Sequence, residues 1–227
     1  MQSEIFAAKD ADEYFERNKS NFNTFIAQYI LSHLTEEYLS TCSLASFGIG
    51  SGYNLIELEK YVKCLHGFDV SAKSITNFIS NIGPRYDGQR VFVEKSNICA
   101  PLKFPTSYDI VVYDWFSYLV TNDELERARA NLLSILNKDG LIIIHDFLAR
   151  SCRDKPDSHN QKLRIFKRDL AFWLAHFDQF DLLSFNVFDC ERYYHYIKEC
   201  RVAQIDPITS ASDDSWVFIA VLKLRNK

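Results

Sequence analysis

The stretch SFGIGSGYN, Ser46 to Asn54, places three of the chain's seven glycines within five positions, at Gly48, Gly50 and Gly52. It follows CSLASF, an apolar run that reads as a buried strand. It precedes YNLIELEKYV, in which Leu55, Leu58 and Val62 recur on one helical side. A strand, a glycine turn and a helix in that order open a parallel α/β sheet, and the first such turn is the usual ligand anchor. Glycine permits positive φ there and lets the backbone approach a ligand closely. Free N–H groups at the helix start favour something polar or anionic.

Two common nucleotide readings of this turn fail on residues. A dinucleotide fingerprint needs glycine where the chain has Tyr53, and a phosphate-cradling loop needs a Gly-Lys-Ser/Thr ending that is missing.

Outward from the turn, short apolar runs alternate with helical patterns. KCLHGFDV reads as the second strand, and AKSITNFISNI as a helix that stops near Gly83 and Pro84. RVFVEK reads as the third strand, YDIVVYD as a fully buried fourth and LIIIHDF as the fifth. Between the last two, NDELERARANLLSILNKDG is a helix with Asn122 suited to the N-cap, acids in its first turn and Gly140 suited to the C-terminal cap. Lys162 to Phe177 reads as helix, with Phe166, Leu170, Trp173 and Leu174 as its apolar face. FDLLSFNVF and SWVFIAVLKL follow with no helix between them, so they should pair antiparallel at a sheet edge. Before the turn, Ala11 to His33 reads as one helix and Thr35 to Leu39 as a short second one. The expected fold is α/β: a doubly wound, mostly parallel, Rossmann-like sheet of seven strands with an antiparallel C-terminal hairpin and an N-terminal helical extension. Residues 1–40 form a cap, and 41–227 a ligand-binding domain, in a single compact unit.

Composition sets the outer bounds. At 227 residues the chain fits one large domain or a domain with an appendage. It is 47% hydrophobic and 25% charged, ordinary for a globular protein; 15% aromatic residues beside a single Met indicate a stiff core or an aromatic-lined pocket. A net charge of −4 argues against a nucleic-acid surface, which carries a basic stripe. The charged N-terminal stretch MQSEIFAAKDADEYFERNKS and the lack of any run of about 18 apolar residues point to a cytoplasmic chain with no membrane contact. Cys42, Cys64, Cys99, Cys152, Cys190 and Cys200 have no CxxC or metal-ligand spacing, so reduced, mostly buried thiols and no metal site are expected.

The pattern Gly48-x-Gly50-x-Gly52, followed by Asp69 at the end of the second strand, resembles the first motif and the second-strand acid of class I S-adenosylmethionine-dependent methyltransferases. NICAPLKFPTSYDIVVYDWF is similar to the family's approach to and passage through its fourth strand, and the final hairpin fits as well. The resemblance spans roughly Leu44 to Leu224. It implies S-adenosyl-L-methionine as cofactor, with Gly48, Ile49, Gly50 and Gly52 against its methionine end and ribose. Asp69 and the adjoining Val70 would meet the ribose, and Asn97 and Ile98 the adenine. Asp114, Trp115 and Tyr14 would complete the cofactor contacts, Tyr14 and Phe15 matching an aromatic pair that covers the methionine end in some members. The family's acid two residues before the first glycine is replaced here by Ser46, which leaves weaker cofactor binding or a substitute charge from Asp114.

Each residue also has an ordinary structural use. The glycines can simply close a βα unit, Asp69 can cap the next helix, Asn97 is a common turn residue, and Trp115, Phe116 and Tyr118 can be core. His145 and Asp146, at the end of the fifth strand, and His159, in a later loop, are candidates for general-base catalysis, with a buried structural histidine as the alternative for His145 and His195 as a further loop candidate. Lys162, Arg164, Lys167 and Arg168 form a solvated face or an anion site. The segment Glu191 to Ser215, with Tyr193, Tyr194 and Tyr196, has the length of a lid. The implied activity is methyl transfer to oxygen or nitrogen of a small molecule such as a sugar or specialised metabolite, by a monomer or homodimer. A non-catalytic cofactor-binding or partner-binding module and an aminopropyltransferase are the alternatives on the same fold.

Overall fold

The structure, a computed structural model, describes residues 1–20, 23–82, 88–102, 107–189 and 215–225. The strands are β1 (Ser43–Phe47), β2 (Cys64–Asp69), β3 (Val91–Lys95), β4 (Tyr108–Asp114) and β5 (Leu136–Ala149), then β6 (Arg153–Pro156), β7 (Arg164–Lys167), β8 (Phe180–Asp189) and β9 (Ser215–Leu224). Seven of them form one sheet in the order β3-β2-β1-β4-β5-β9-β8. The first five run parallel; β9 is antiparallel to both β5 and β8. The sheet is the expected doubly wound one, with the expected closing hairpin. Its strand order reverses between β1 and β4, and ligands bind beyond the carboxyl ends of the strands at such a point.

Strands made of continuous Val, Ile and Leu are buried on both faces because each face carries its own apolar layer. On one face α3 (Phe25–His33), α5 (Tyr53–Leu58) and α6 (Ala72–Ile82) bring Ile26, Ile30, Leu55 and Phe78 onto Leu44, Ile110, Val112 and Ile143. On the other, α7 (Asn122–Ile135) and α8 (Leu170–His176) bring Leu125, Leu132 and Trp173 onto Val111, Tyr113, Ile142 and Phe218. Alternate residues of one strand therefore feed different cores, which is the period of two expected of a strand.

The N-terminal region is not a single helix over Ala11 to His33. It comprises α1 (Gln2–Ile5), a π-helical turn (Phe6–Asp10) and α2 (Ala11–Asn18), and α3 starts only at Phe25. A short α4 (Glu36–Leu39) follows, capped by the Thr35 hydroxyl accepting from the Tyr38 N–H. Helix α7 is capped by Thr121 rather than Asn122: the Thr121 side chain accepts from the Glu124 N–H while the Glu124 carboxylate accepts from the Thr121 N–H. The chain passes from Ile135 straight into β5, so Gly140 lies within a strand and caps nothing.

The largest departure is Lys162 to Phe177. Arg164–Lys167 is a strand, β7, paired antiparallel with β6, and helix starts only at Leu170, where the Asp169 carboxylate accepts from the Phe172 N–H. Phe166, Leu170, Trp173 and Leu174 do have helical spacing, but Leu170 and Leu174 are 41% and 52% exposed while Trp173 is buried. The helical periodicity is therefore partly coincidental, and pairing with Arg153–Pro156 overrides it. The segment expected to act as a lid, Glu191 to Ser215, lies outside the described residues except for Ser215, which opens β9, and His195 and its neighbouring tyrosines lie outside them too. No helix among the described residues is long and apolar enough to cross a membrane.

Candidate functional site

All three turn glycines have positive φ, at 82°, 53° and 80° for Gly48, Gly50 and Gly52. Their surroundings differ. A Cβ on Gly48 would lie 2.4 Å from the backbone carbonyl oxygen of Asp114, and one on Gly52 would lie 2.5 Å from the Phe78 ring. A Cβ on Gly50 would meet nothing within 4 Å. Two glycines thus make room for the protein itself, against β4 and α6. Only Gly50 borders open space. Ile49 between them points into the first core.

Asp69 ends β2 and ties this turn down. Its Oδ2 accepts from the Gly50 N–H at 2.9 Å and its Oδ1 from the Ser71 N–H at 2.8 Å. Burial pushes its carboxyl above the ordinary value even though the Ser71 and Gly50 amides donate to it. Val70 follows, half-buried. Asn97 faces the N-terminal helices: its side-chain amide donates to the Ser3 hydroxyl at 3.2 Å and its Oδ1 accepts from the Cys99 N–H. Ile98 is 5% exposed in the second core.

Asp114 and His145 come together across neighbouring strands. Asp114 pairs with His145 in the β4–β5 register, and the His145 Nδ1 lies 2.8 Å from the Asp114 Oδ1. The Asn54 amide reaches the other carboxylate oxygen at 3.5 Å. His145 is fully buried, its ring 5.2 Å from that of Phe25 and 4.7 Å from that of Trp115. Trp115 has φ 51°, rare for a bulky residue, and its N–H donates to the His145 carbonyl at 2.9 Å. Backbone held in this region is stored strain, and strain of this kind gathers at functional sites. Ser46 is buried within β1, whose partners are β2 and β4.

Asp146 is kept apart from this group. It is fully buried and accepts from the Ser117 N–H at 2.9 Å, from the Ser117 hydroxyl and from the Phe147 N–H. Arg168, 3% exposed, donates to the Ser117 and Val120 carbonyls at 2.7 Å and to the Asn122 side-chain oxygen. Asp146 and Arg168 therefore lock the turn after β4, and Arg168 belongs to no solvated face. Burial raises the Asp146 carboxyl from 3.8 to about 6, and the Ser117 and Phe147 donors offset only part of this.

The sign of the pH dependence follows. Between pH 4 and 6 the folded chain holds a proton on Asp146 that the unfolded chain has released, so this group's contribution to stability falls as pH rises and is level above about 7. His176, lowered from 6.5 to about 4 by burial despite Glu126 at 2.9 Å, acts in the opposite sense across the whole of that window. Urea unfolding at pH 4 and pH 7 of the wild type and Asp146→Asn separates the two. The wild type should lose about 2 kcal/mol relative to the variant over that span, somewhat less than the full 1.36 kcal/mol per pKa unit of a shift from 3.8 to about 6, because the unfolded carboxyl is already more than half ionised at pH 4. A constant difference would show that Asp146 titrates normally.

The N-terminal helices lie across the carboxyl edge of the sheet. The Asp12 carboxylate accepts from the Ser71 hydroxyl at 2.6 Å, just after β2. The Gln2 amide donates to the Leu119 carbonyl at 2.8 Å, just after β4, and Ser3 donates through N–H and hydroxyl to Glu124. The Tyr14 and Tyr118 hydroxyls are 2.6 Å apart, and burial raises both pKa values. The β6–β7 hairpin closes the outside: Asn160 donates to both Asp10 oxygens at 3.0 Å, and Gln2 bonds Arg164 in both directions. His159, in this hairpin's loop, is exposed, and its N–H donates to Asp157. Nothing local in the sequence marks the hairpin's hold on Gln2 and Asp10, because each partner lies more than a hundred positions away.

Neither a protein-family model nor a curated protein matches this sequence. Solved structures do match its architecture. The O-methyltransferase of a trans-AT polyketide synthase multienzyme of Brevibacillus brevis, in complex with S-adenosyl-L-homocysteine, is 17% identical with a TM-score of 0.64, over 98% of this chain and 79% of that one. A Burkholderia thailandensis 1,6-didemethyltoxoflavin-N1-methyltransferase, with bound 1,6-didemethyltoxoflavin and S-adenosylhomocysteine, is 10% identical with a TM-score of 0.65, over 99% and 87%. The cyclase SpnF is 11% identical with a TM-score of 0.60, over 85% and 80%. The strand order, the closing hairpin and these likenesses agree: the chain has the fold of the class I S-adenosylmethionine-dependent methyltransferases.

Proposed function

We propose that this chain binds S-adenosyl-L-methionine and transfers its methyl group to an oxygen or nitrogen of a small molecule. The observation that carries the reading is the open space above Gly50, beside a partly buried carboxylate at the end of β2. A ligand there meets backbone at one edge and Asp69 at the other. The Gly50 and Ser71 amides hold this carboxylate, and the Val70 backbone and the Ser74 side chain also bond to it, so a ribose hydroxyl would bind by sharing or displacing one of these donors. Val70 and Ile98 would flank the base, and Asn97, turned toward Ser3, would reach it only after giving up that bond.

Asp114 takes the part of the charge missing at Ser46. Its backbone carbonyl packs against Gly48, and its carboxylate, held by His145 and Asn54, would meet the ammonium of the cofactor's methionine end, with Trp115 next to it in sequence as an adjoining wall. His145, fully buried behind Asp114, orients that carboxylate. Asp146 holds the turn that carries Trp115. Tyr14 and Tyr118 keep their protons and act by hydrogen bonding and by covering the methionine end. His159 would have to approach from the hairpin loop to act as a base. Bound cofactor supplies an activated methyl group on a sulfonium. The protein's remaining tasks are alignment and exclusion of water, which the cap over residues 1–40 serves. We place the chain in the cytoplasm, as a monomer or homodimer without nucleic-acid or membrane partners.

Calorimetry with S-adenosylmethionine and S-adenosylhomocysteine tests the reading. Both should bind, and Asp69→Ala should weaken binding by about tenfold or more, since a hydrogen bond to a charged group contributes roughly 1.5–3 kcal/mol. Failure of the wild type to bind either compound would end the proposal; unchanged affinity in Asp69→Ala would end the ribose assignment. Ser46, and the likeness to a cyclase, favour one second reading: a cofactor-binding chain that carries out no methyl transfer. Tight binding with no S-adenosylhomocysteine formed in the presence of acceptors would select it.

A further inference from the structure

At the opposite end of β2 from Asp69, a second group of reactive side chains stands apart from the glycine turn. Cys64 and Asp69 are five residues apart on one extended strand, about 16 Å at 3.3 Å per residue. The Cys64 Sγ lies 3.1 Å from the His66 Nε2 and donates toward the Gln89 carbonyl at 3.7 Å. The His66 Nδ1 lies 2.6 Å from the hydroxyl of the fully buried Tyr108. Cys64 and His66 are two apart on β2, so both project to the same face, and Tyr108 comes to that face from β4.

Two members of this relay, His66 and Tyr108, line a cavity, and Cys64 stands just outside its lining. His66, Gln89, Phe68, Phe92, Glu94 and Tyr108 line a space of about 220 Å³. Among the described residues no helix lies between β3 and β4, so this corner of the second face is covered less than the rest. The His66 ring is edge-on to those of Phe92 and Tyr108, at 5.3 Å from each.

A neutral imidazole carries one proton between its two nitrogens. If the Tyr108 hydroxyl donates to Nδ1, then Nε2 carries hydrogen and donates to the sulfur, which stabilises a thiolate. If Nδ1–H donates to Tyr108, then Nε2 accepts the thiol proton. Either way one proton is shared between His66 and Cys64. A nucleophile within reach of a base, with the base oriented by a third group, is the arrangement that activates a thiol. Burial lowers the His66 pKa, against an upward pull from its hydrogen bond with the Gln89 backbone, so the ring is uncharged at neutral pH.

We propose that Cys64 is an activated nucleophile and a site of covalent modification by soft carbon electrophiles, of the α,β-unsaturated carbonyl class, that seat against the aromatic rings of this cavity. In the reaction the thiol proton passes to the His66 Nε2, and the sulfur forms a bond to the β-carbon of the electrophile. The carbon–carbon π pair moves to the α-carbon, which takes the proton back from His66. No atom leaves and no external oxidant or reductant is needed.

The test uses the full chain with limiting N-ethylmaleimide at pH 7 and quantifies each cysteine-containing peptide by mass spectrometry over time. Cys152, which is exposed, serves as internal reference. Cys64, though only half-exposed, should react about tenfold faster than Cys152. His66→Gln should bring its rate down to or below that of Cys152, and Tyr108→Phe should give a smaller fall. Far-ultraviolet circular dichroism reports whether each variant folds, and the wild-type comparison needs no variant at all. A Cys64 rate equal to or below that of Cys152 in the wild type would overturn the proposal. So would an unchanged Cys64 rate in folded His66→Gln.

Discussion

Gly48→Ala is expected to lower the stability of the chain by about 2–5 kcal/mol, whereas Gly50→Ala, two residues on, lowers it by only about 1–2 kcal/mol and mainly abolishes cofactor binding. Both positions have positive φ, so both variants incur the strain of a left-handed residue with a side chain. They differ in what the new methyl meets. At position 48 it would stand 2.4 Å from the Asp114 carbonyl, a backbone atom at the end of a central strand, and one of the two must move. At position 50 it enters space free of protein atoms within 4 Å. That space is where the proposal seats the ligand, so the methyl collides with the cofactor instead. Urea unfolding and calorimetry with S-adenosylhomocysteine on the two variants provide the measurement. Equal loss of stability in both would mean that strain, and not the contact with β4, dominates. Undiminished binding by Gly50→Ala would show that the ligand lies elsewhere.

Arg168→Ala should be the most damaging side-chain truncation, at about 3–5 kcal/mol. The guanidinium is 3% exposed and its donors satisfy the Ser117 and Val120 carbonyls and the Asn122 side chain. Its plane also packs near the rings of Phe166 and Phe172, at 5.4 and 5.1 Å. Alanine leaves buried carbonyls without a donor and removes a cation whose charge favours the ionised form of the buried Asp146. Arg168→Lys should recover only part of the loss, because an ammonium cannot span the same acceptors as a planar fork. The affected turn, Asp114 to Leu119, carries Trp115, so cofactor affinity should fall with stability. A loss below about 1 kcal/mol by urea unfolding would show that water replaces the guanidinium without penalty.

The sheet was legible in the amino-acid order because each strand carries its own signal. YDIVVYD and SWVFIAVLKL match β4 and β9 residue for residue, and AKSITNFISNI matches α6. The glycine turn was legible for the same reason: positive φ is a local demand, and glycine answers it locally. Which glycine faces a ligand was not legible. Gly48 is set by Asp114, 66 positions away, and Gly52 by Phe78, so the distinction between packing clearance and ligand clearance exists only once β4 and α6 are in place.

The same boundary divides the polar residues. The period of the chain put His145, Asp146 and Asp114 at strand ends, but strand pairing gives His145 to Asp114 and the turn after β4 gives Asp146 to Ser117. One residue of offset along β5 sends two neighbouring side chains to opposite faces and so to different partners. Arg168 looked like a surface charge among Lys162, Arg164 and Lys167, and the β6–β7 hairpin turned it inward. Local pattern settles where strands and turns form, because their dihedral and periodicity requirements are met within a few residues. The identity of each buried polar group's partner depends on contacts between distant segments, and those are settled by the cost of leaving any one of them unsatisfied.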